Sequence, residues 1–205
     1  MNPGELLEMG SWTDFYLEGS DSASIRNMVV SNKRPLAEDE RRTLLEGFKV
    51  LRGSADRDYR TTQVIWSTGC HPWSLQNSDY CRWKVVEEGG TSYVDYLRAK
   101  TYEHTHLVLD PAIATWLLEF LRDEGGYTTR EYHRRVKTFG LSLGLDGLCP
   151  RALRHDRIFL TGRACGWDLN ALTAIFGTDA STLLGYMATD RAKTYSDKIL
   201  REAFG

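Results

Sequence analysis

Residues 150–155 read Pro-Arg-Ala-Leu-Arg-His, and the chain runs on to Ala164 as Asp-Arg-Ile-Phe-Leu-Thr-Gly-Arg-Ala. Proline at the first position suits a helix start, because its missing N–H would be unpaired there anyway. A helix over Pro150–Ala164 is therefore predicted, and it carries two arginines and a histidine in its first turns. Three other short motifs surround it in the chain: Thr68-Gly69-Cys70-His71-Pro72, Leu97-Arg98-Ala99-Lys100-Thr101 and Thr182-Leu183-Leu184-Gly185-Tyr186. Each is weak alone, since a lone lysine in a turn is usually a solubility residue and a lone helical tyrosine usually packs. Their order along the chain is the stronger signal.

Hydrophobic periodicity places these motifs on elements. Glu38–Leu51 reads as an amphipathic helix with Leu44, Leu45, Phe48 and Leu51 on one stripe. Asp58–Ser67 reads as a second helix closed by Thr68-Gly69, and Pro72 stands where a short helix can begin. The period then changes. Cys81–Val86, Ser92–Leu97 and His106–Leu109 are expected strands, with a turn at Gly89-Gly90 and another at Lys100–Glu103. Trp83/Val85 and Tyr93/Tyr96 are residues that a half-buried sheet face uses. Beyond Pro111 the pattern is helical over Ala112–Asp123, Thr129–Phe139, Pro150–Ala164, Leu169–Phe176 and Ser181–Phe204. The fold class expected is mainly α with one small three-stranded antiparallel sheet. Residues 1–34 read as an acidic N-terminal extension and residues 35–205 as the folded domain.

Composition excludes several classes. At 205 residues, with 41% hydrophobic and 26% charged side chains, the chain can bury a proper core. Its longest apolar stretches, around Ala112–Leu121 and Ile158–Leu160, fall short of the roughly 20 residues a bilayer span needs. No basic or apolar region at Met1–Gly10 marks a signal peptide. Cys70, Cys81, Cys149 and Cys165 form no CxxC pair and read as free thiols in a reducing, cytoplasmic or nucleoid-associated setting. Net charge is −2, but it is unevenly spread. Residues 1–24 hold five acids and no Lys or Arg, whereas Thr129–Arg163 holds eight bases against three acids. A cluster of that kind attracts a polyanion locally, although a solvated helix face accounts for it equally well.

Taken in order, the four motifs resemble those of the tyrosine recombinase (phage-integrase) catalytic domain, over roughly residues 35–205. That family has a helix ending in a Thr-Gly-x-Arg box, then a three-stranded sheet with a catalytic lysine between its second and third strands. A His-x-x-Arg box opens a later helix, a Leu-Gly-His/Trp box follows, and a tyrosine nucleophile comes shortly after. The resemblance assigns the lysine to Lys100, the second arginine to Arg154 and the nucleophile to Tyr186, which follows Arg154 by 32 positions. Tyr195 competes as nucleophile, because Leu184-Gly185-Tyr186 imitates the Leu-Gly-His box.

Three positions depart from the family pattern. His71 stands where the first arginine belongs, Arg151 stands where the box histidine belongs, and Phe176-Gly177-Thr178 lacks both imidazole and indole. Two guanidiniums stabilise the charge on a transferring phosphoryl group, so losing one without replacement costs about 3–4 kcal/mol of barrier. An exchange of residue types offers one way out: His71 and Arg151 swap places while both still reach the same phosphate. Plain degeneration of the site is the other reading.

What the resemblance implies is site-specific DNA recombination or integration. The Tyr186 hydroxyl attacks a backbone phosphate to form a 3′-phosphotyrosyl link, Lys100 protonates the leaving oxygen, and neither metal nor other cofactor is needed. Double-stranded DNA is the implied partner, held by Arg98, Arg130, Arg134, Arg135, Lys137, His155 and Arg157, with assembly as a homotetramer on paired sites and no membrane. A catalytically inactive DNA-binding module of the same fold is the alternative. Other chemistries have poor support. Cys70, His71, Cys81, His104 and His106 lack zinc-finger spacing, no phosphate loop precedes a helix, and no nucleophile elbow is present.

Overall fold

A computed structural model of the protein describes residues 28–31, 34–98, 104–109 and 111–204. Helix α1 spans Glu38–Val50, and its first turn carries Glu38, Asp39 and Glu40, which suits the positive end of a helix dipole. The Glu40 carboxylate accepts from the Ala37 N–H at 2.6 Å and from both terminal nitrogens of Arg34 at 2.7 Å. Helix α2, Arg57–Thr68, starts at Asp56, whose side chain accepts from the Tyr59 N–H at 2.7 Å. It ends at Gly69, in the left-handed region at φ 60°, a conformation glycine adopts without a Cβ penalty. Two short helices follow, α3 over Pro72–Gln76 and α4 over Ser78–Cys81.

Strands β2 (Lys84–Glu88), β3 (Thr91–Leu97) and β4 (His104–Leu109) form an antiparallel sheet in that order. Gly89 and Gly90 both have positive φ, as a two-residue hairpin turn requires. The turn sets a register in which Val85 faces Val94, Val94 faces Leu107 and Tyr96 faces Thr105. Those residues line the inner face, where Trp83 stacks on Tyr96 with ring centroids 4.0 Å apart. Tyr93 points to the other face, three positions from Tyr96, as the period of two dictates. The strand expected from Cys81 begins only at Lys84. Residues 78–81 make a helical turn instead, Arg82 takes a left-handed conformation, and the Trp83 indole donates to the Ser74 carbonyl at 3.0 Å.

The remainder is helical: α5 (Pro111–Glu124), α6 (Thr129–Ser142), α7 (Pro150–Ala164), α8 (Leu169–Phe176) and α9 (Ala180–Phe204). Between α6 and α7 lies β5, Leu145–Asp146, which pairs in parallel with β1, Met28–Val29. Val30 is buried in the core as well. Residues 28–30 therefore pack with the domain, upstream of the boundary expected at residue 35. Helix α2 runs through the centre, packed against both α6 and α7, and Phe48, Tyr59, Trp66 and Phe139 form an aromatic cluster around it. Thr105 on β4 donates through its hydroxyl to the Ile175 carbonyl of α8. That contact carries the helical body onto the sheet and places the ends of α2 and α8 beside the start of α7.

Candidate active site

The site gathers where α2, α7, α8 and α9 meet. Thr68 closes α2 by donating to the Val64 carbonyl at 2.7 Å, and its oxygen accepts from the Cys70 N–H at 3.2 Å. Gly69 then turns out of the helix and presents its carbonyl to Arg154 Nη1. Arg154 Nη2 donates to the Phe176 carbonyl at 2.7 Å and to the Thr178 hydroxyl at 3.2 Å. One guanidinium thus joins the ends of α2 and α8. Its Nε–H and second Nη1–H have no hydrogen-bond acceptor among the described residues. Gly177, at φ 60°, caps α8 and lets the chain turn so that Thr178 reaches Arg154. A threonine hydroxyl consequently meets Arg154 from the position where the resemblance expects imidazole or indole.

Tyr186 lies in the second turn of α9, with only 9% of its surface exposed. Its ring meets the His155 ring edge-on, with centroids 5.5 Å apart and planes inclined at 71°. Burial raises the phenol above its ordinary pKa of 10.0, while Arg154 and Arg151 pull it back down. Arg151 is exposed on the first turn of α7, and its Nε donates to His155 Nε2 at 3.4 Å. Burial, and then the positive charges of Arg151 and Arg154, lower the pKa of His155 below the ordinary 6.5. Arg151, Arg154, His155 and Tyr186 therefore form one electrostatically coupled group.

The remaining expected site residues fall elsewhere. His71 is exposed, and its Nδ1 accepts from the Trp73 N–H at 3.2 Å as the cap of α3. It follows Gly69, whose carbonyl meets Arg154, by two residues. Lys100 lies outside the described residues, as does the Tyr195 side chain. Residues 1–27 lie outside them too.

Among the expected DNA-contacting residues, Arg98, Arg135 and Arg157 are buried. Arg135 sits among carboxylates, 3.0 Å from Glu131, 3.6 Å from Asp58 and 3.7 Å from Glu124, and over the Tyr127 ring. Arg157 lies over the Trp66 ring, and burial lowers its pKa to about 10. Arg98 donates to the Thr173 carbonyl at 3.2 Å beneath Gly177. These three cations hold elements together and do not face solvent. Arg130, Arg134 and Lys137 do face solvent on α6, although Arg134 is forked onto Glu131 at 2.7 and 2.8 Å.

The sequence suggests His155 only as a DNA contact and does not announce Thr178 as a partner of Arg154. Nothing in the sequence pointed to the Gly69 and Phe176 carbonyls. The Arg154-His155 pair was the available signal for the imidazole, because it places both side chains in one helical turn.

Solved structures share this architecture. The XerH site-specific recombinase bound to palindromic difH substrate, in a post-cleavage complex, superposes with a TM-score of 0.62 at 18% identity, over 84% of this chain and 54% of that one. XerH in its pre-cleavage complex with difH gives 0.56 at 20% identity, over 77% and 52%. The XerA recombinase gives 0.56 at 19% identity, over 80% and 65%. The chain spans about half the length of the XerH chains it matches. No family model and no curated sequence matches it. The chain has the fold of the tyrosine recombinase catalytic domain.

Proposed function

We propose that this chain is a tyrosine-type DNA strand transferase, which cleaves and rejoins duplex DNA as a site-specific recombinase does. The observation that carries this reading is the placement of the Tyr186 phenol against His155 and within the fields of Arg151 and Arg154, on a fold shared with DNA-bound recombinases. In this reading, Arg154 turns its remaining N–H groups to the non-bridging oxygens of one phosphate and Arg151 supplies the second guanidinium. Charge that builds on those oxygens in the transition state meets fixed donors, and this is the main source of acceleration in phosphoryl transfer.

Tyr186 Oη attacks phosphorus and passes its proton to water as the bond forms. The bond from phosphorus to O5′ breaks, and the departing oxygen takes a proton from Lys100, leaving a 3′-phosphotyrosyl link and a free 5′-hydroxyl. Attack by a 5′-hydroxyl reverses the step, so rejoining needs no nucleotide. Arg130, Arg134 and Lys137 on α6 provide a basic ridge for the flanking backbone. Recombination between two sites implies assembly of several copies on paired duplexes.

A second reading, a silent DNA-binding module, draws on one observation. His71 occupies the first arginine's position and uses its Nδ1 to cap α3. A suicide duplex carrying a nick or a bridging phosphorothiolate beside the scissile phosphate separates the two readings. The transferase gives a denaturant-resistant protein–DNA adduct that disappears in Tyr186→Phe. Duplex binding that weakens steeply with salt, without any adduct, supports the module.

A further inference from the structure

Arg151, Arg154 and His155 fall within four residues of one another on α7, and positions three and four apart share a helix face. That face meets Tyr186 on α9. His155 is the central member of the group. On one side its Nε2 accepts from Arg151 Nε at 3.4 Å, and on the other its ring contacts the phenol. An imidazole that accepts at Nε2 carries its proton on Nδ1. Nδ1 is buried and has no hydrogen-bond partner among the described residues. The ring is therefore oriented by Arg151 and by the surrounding packing.

A tyrosine on a helix has two common χ1 rotamers, and its neighbours decide between them. Here the neighbour that meets the phenol ring is His155. We propose that His155 is the positioning residue for Tyr186: steered by Arg151 and packed edge-on against the phenol, it fixes the direction in which the hydroxyl points. The proposal rests on the strand-transferase reading for its catalytic meaning. It also supplies an imidazole from a position other than the two at which the resemblance expected one. Arg151 gains a second task, since the residue that meets the phosphate also steers the ring that aims the nucleophile.

Protonation tests the same geometry. The charged groups acting on His155 are Arg151 and Arg154 from α7, and the titratable group facing it from α9 is Tyr186. Adding a proton at Nε2 removes the acceptor for Arg151 and places a third cation beside two others. The rate of nucleophilic attack accordingly falls in acid as His155 takes up that proton.

The experiment uses the full chain and a suicide duplex, with single-turnover adduct formation followed against pH and duplex affinity measured in parallel. His155→Ala should lower the adduct rate by about 100-fold, the scale of a small misalignment of reacting atoms, while duplex affinity stays unchanged. His155→Phe restores a ring but no acceptor, so it should recover much of the rate and lose the acid limb. A wild-type rate in His155→Ala, or a loss matched by lost duplex affinity, overturns the proposal.

If wild-type protein gives no adduct, the transferase reading fails and positioning is judged on the free protein. Tyrosine-selective NMR should then show one χ1 rotamer for Tyr186 in wild type, averaging in His155→Ala and a single rotamer again in His155→Phe. An unchanged rotamer in His155→Ala overturns positioning there too.

Discussion

Arg41 on α1 and Asp156 on α7 lie 115 residues apart in the chain, yet Nη2 of the first is 2.6 Å from Oδ1 of the second. Arg41 Nε donates to the same oxygen at 2.9 Å, and the Trp66 indole donates to Oδ2 at 3.0 Å. The carboxylate is fully buried, so it binds α1, α2 and α7 together beneath the site. Asp156→Ala strands the Arg41 charge and the indole N–H, and should cost about 3–5 kcal/mol, the usual penalty for removing one partner of a buried pair. Asp156→Asn keeps an acceptor and should cost less. Urea unfolding of the two variants measures the difference.

The Arg154 guanidinium has a structural task in the fold and a chemical one in the strand-transferase proposal. Arg154→Ala removes the link between the Gly69 and Phe176 carbonyls and, on the transferase proposal, one phosphate-binding fork, so both stability and adduct formation should fall. Arg154→Lys keeps a cation but cannot span both carbonyls, and it should lose at least about 100-fold in adduct rate. Thr178→Ala removes one neutral acceptor and should cost about 1 kcal/mol in stability. Thermal melts alongside suicide-substrate trapping separate the two tasks.

Much of this architecture was legible in the sequence because it depends on local signals. The 3.6-residue period, Pro150 at a helix start and Gly69 at a helix end determine the helices, and Gly89-Gly90 determines the hairpin. The pairing of Met28–Val29 with Leu145–Asp146 is a long-range contact of two-residue strands, which no local pattern announces. The burial of Arg98, Arg135 and Arg157 was hidden for a related reason: a basic residue reads as exposed until its tertiary partners are known. At the site, motif order alone singles out Arg154 and Tyr186. The contact of His155 with Tyr186 required the packing of α7 on α9.

Gly177 is constrained twice. Its φ of 60° disfavours any residue with a Cβ, and an added Cβ would lie 2.1 Å from Arg98 Nη1 and 3.0 Å from Arg98 Cζ. Arg98 cannot withdraw without leaving the Thr173 carbonyl. Gly177→Ala should therefore cost more than the ordinary 1–2 kcal/mol of a left-handed residue and should displace Thr178 from Arg154. Gly90→Ala serves as the control, because a Cβ there meets nothing within 4 Å. Chemical denaturation of both should show the larger loss at Gly177.

Stability should pass through a plateau between about pH 7 and pH 9, with a different cause at each edge. Burial, with the positive charges of Arg151 and Arg154, lowers the pKa of His155. Below 6.5 the unfolded chain therefore takes up protons that the folded chain resists, and stability falls as pH falls. On the alkaline side, burial pushes the Cys70 thiol from 9.0 up to about 12 and raises the phenols of Tyr96, Tyr132 and Tyr186. The unfolded chain then releases protons first, and stability falls as pH rises above 9. Melting temperature against pH checks both edges. Loss of the fall just below pH 6.5 in His155→Phe assigns it.

Helix α9 is fastened near Tyr186 by Asp190, whose carboxylate accepts from the Trp167 indole at 3.0 Å and lies 3.4 Å from Arg163 Nε. Trp167 itself has a positive φ of 61°, and its ring lies so close to Gly162 that a Cβ there would stand 2.5 Å from Cζ3. Gly162 thus makes room for the indole, the indole holds Asp190, and Asp190 holds the turn of α9 that follows Tyr186. Asp190→Ala should cost about 1–3 kcal/mol, from an unpaired indole N–H and a lost ion pair. Gly162→Ala should displace the indole and have a similar effect from the opposite side. In both variants amide exchange should quicken over residues 183–190, and adduct formation should fall by more than the lost stability accounts for. If exchange quickens without a loss of adduct, Asp190 holds the helix without aiming the tyrosine.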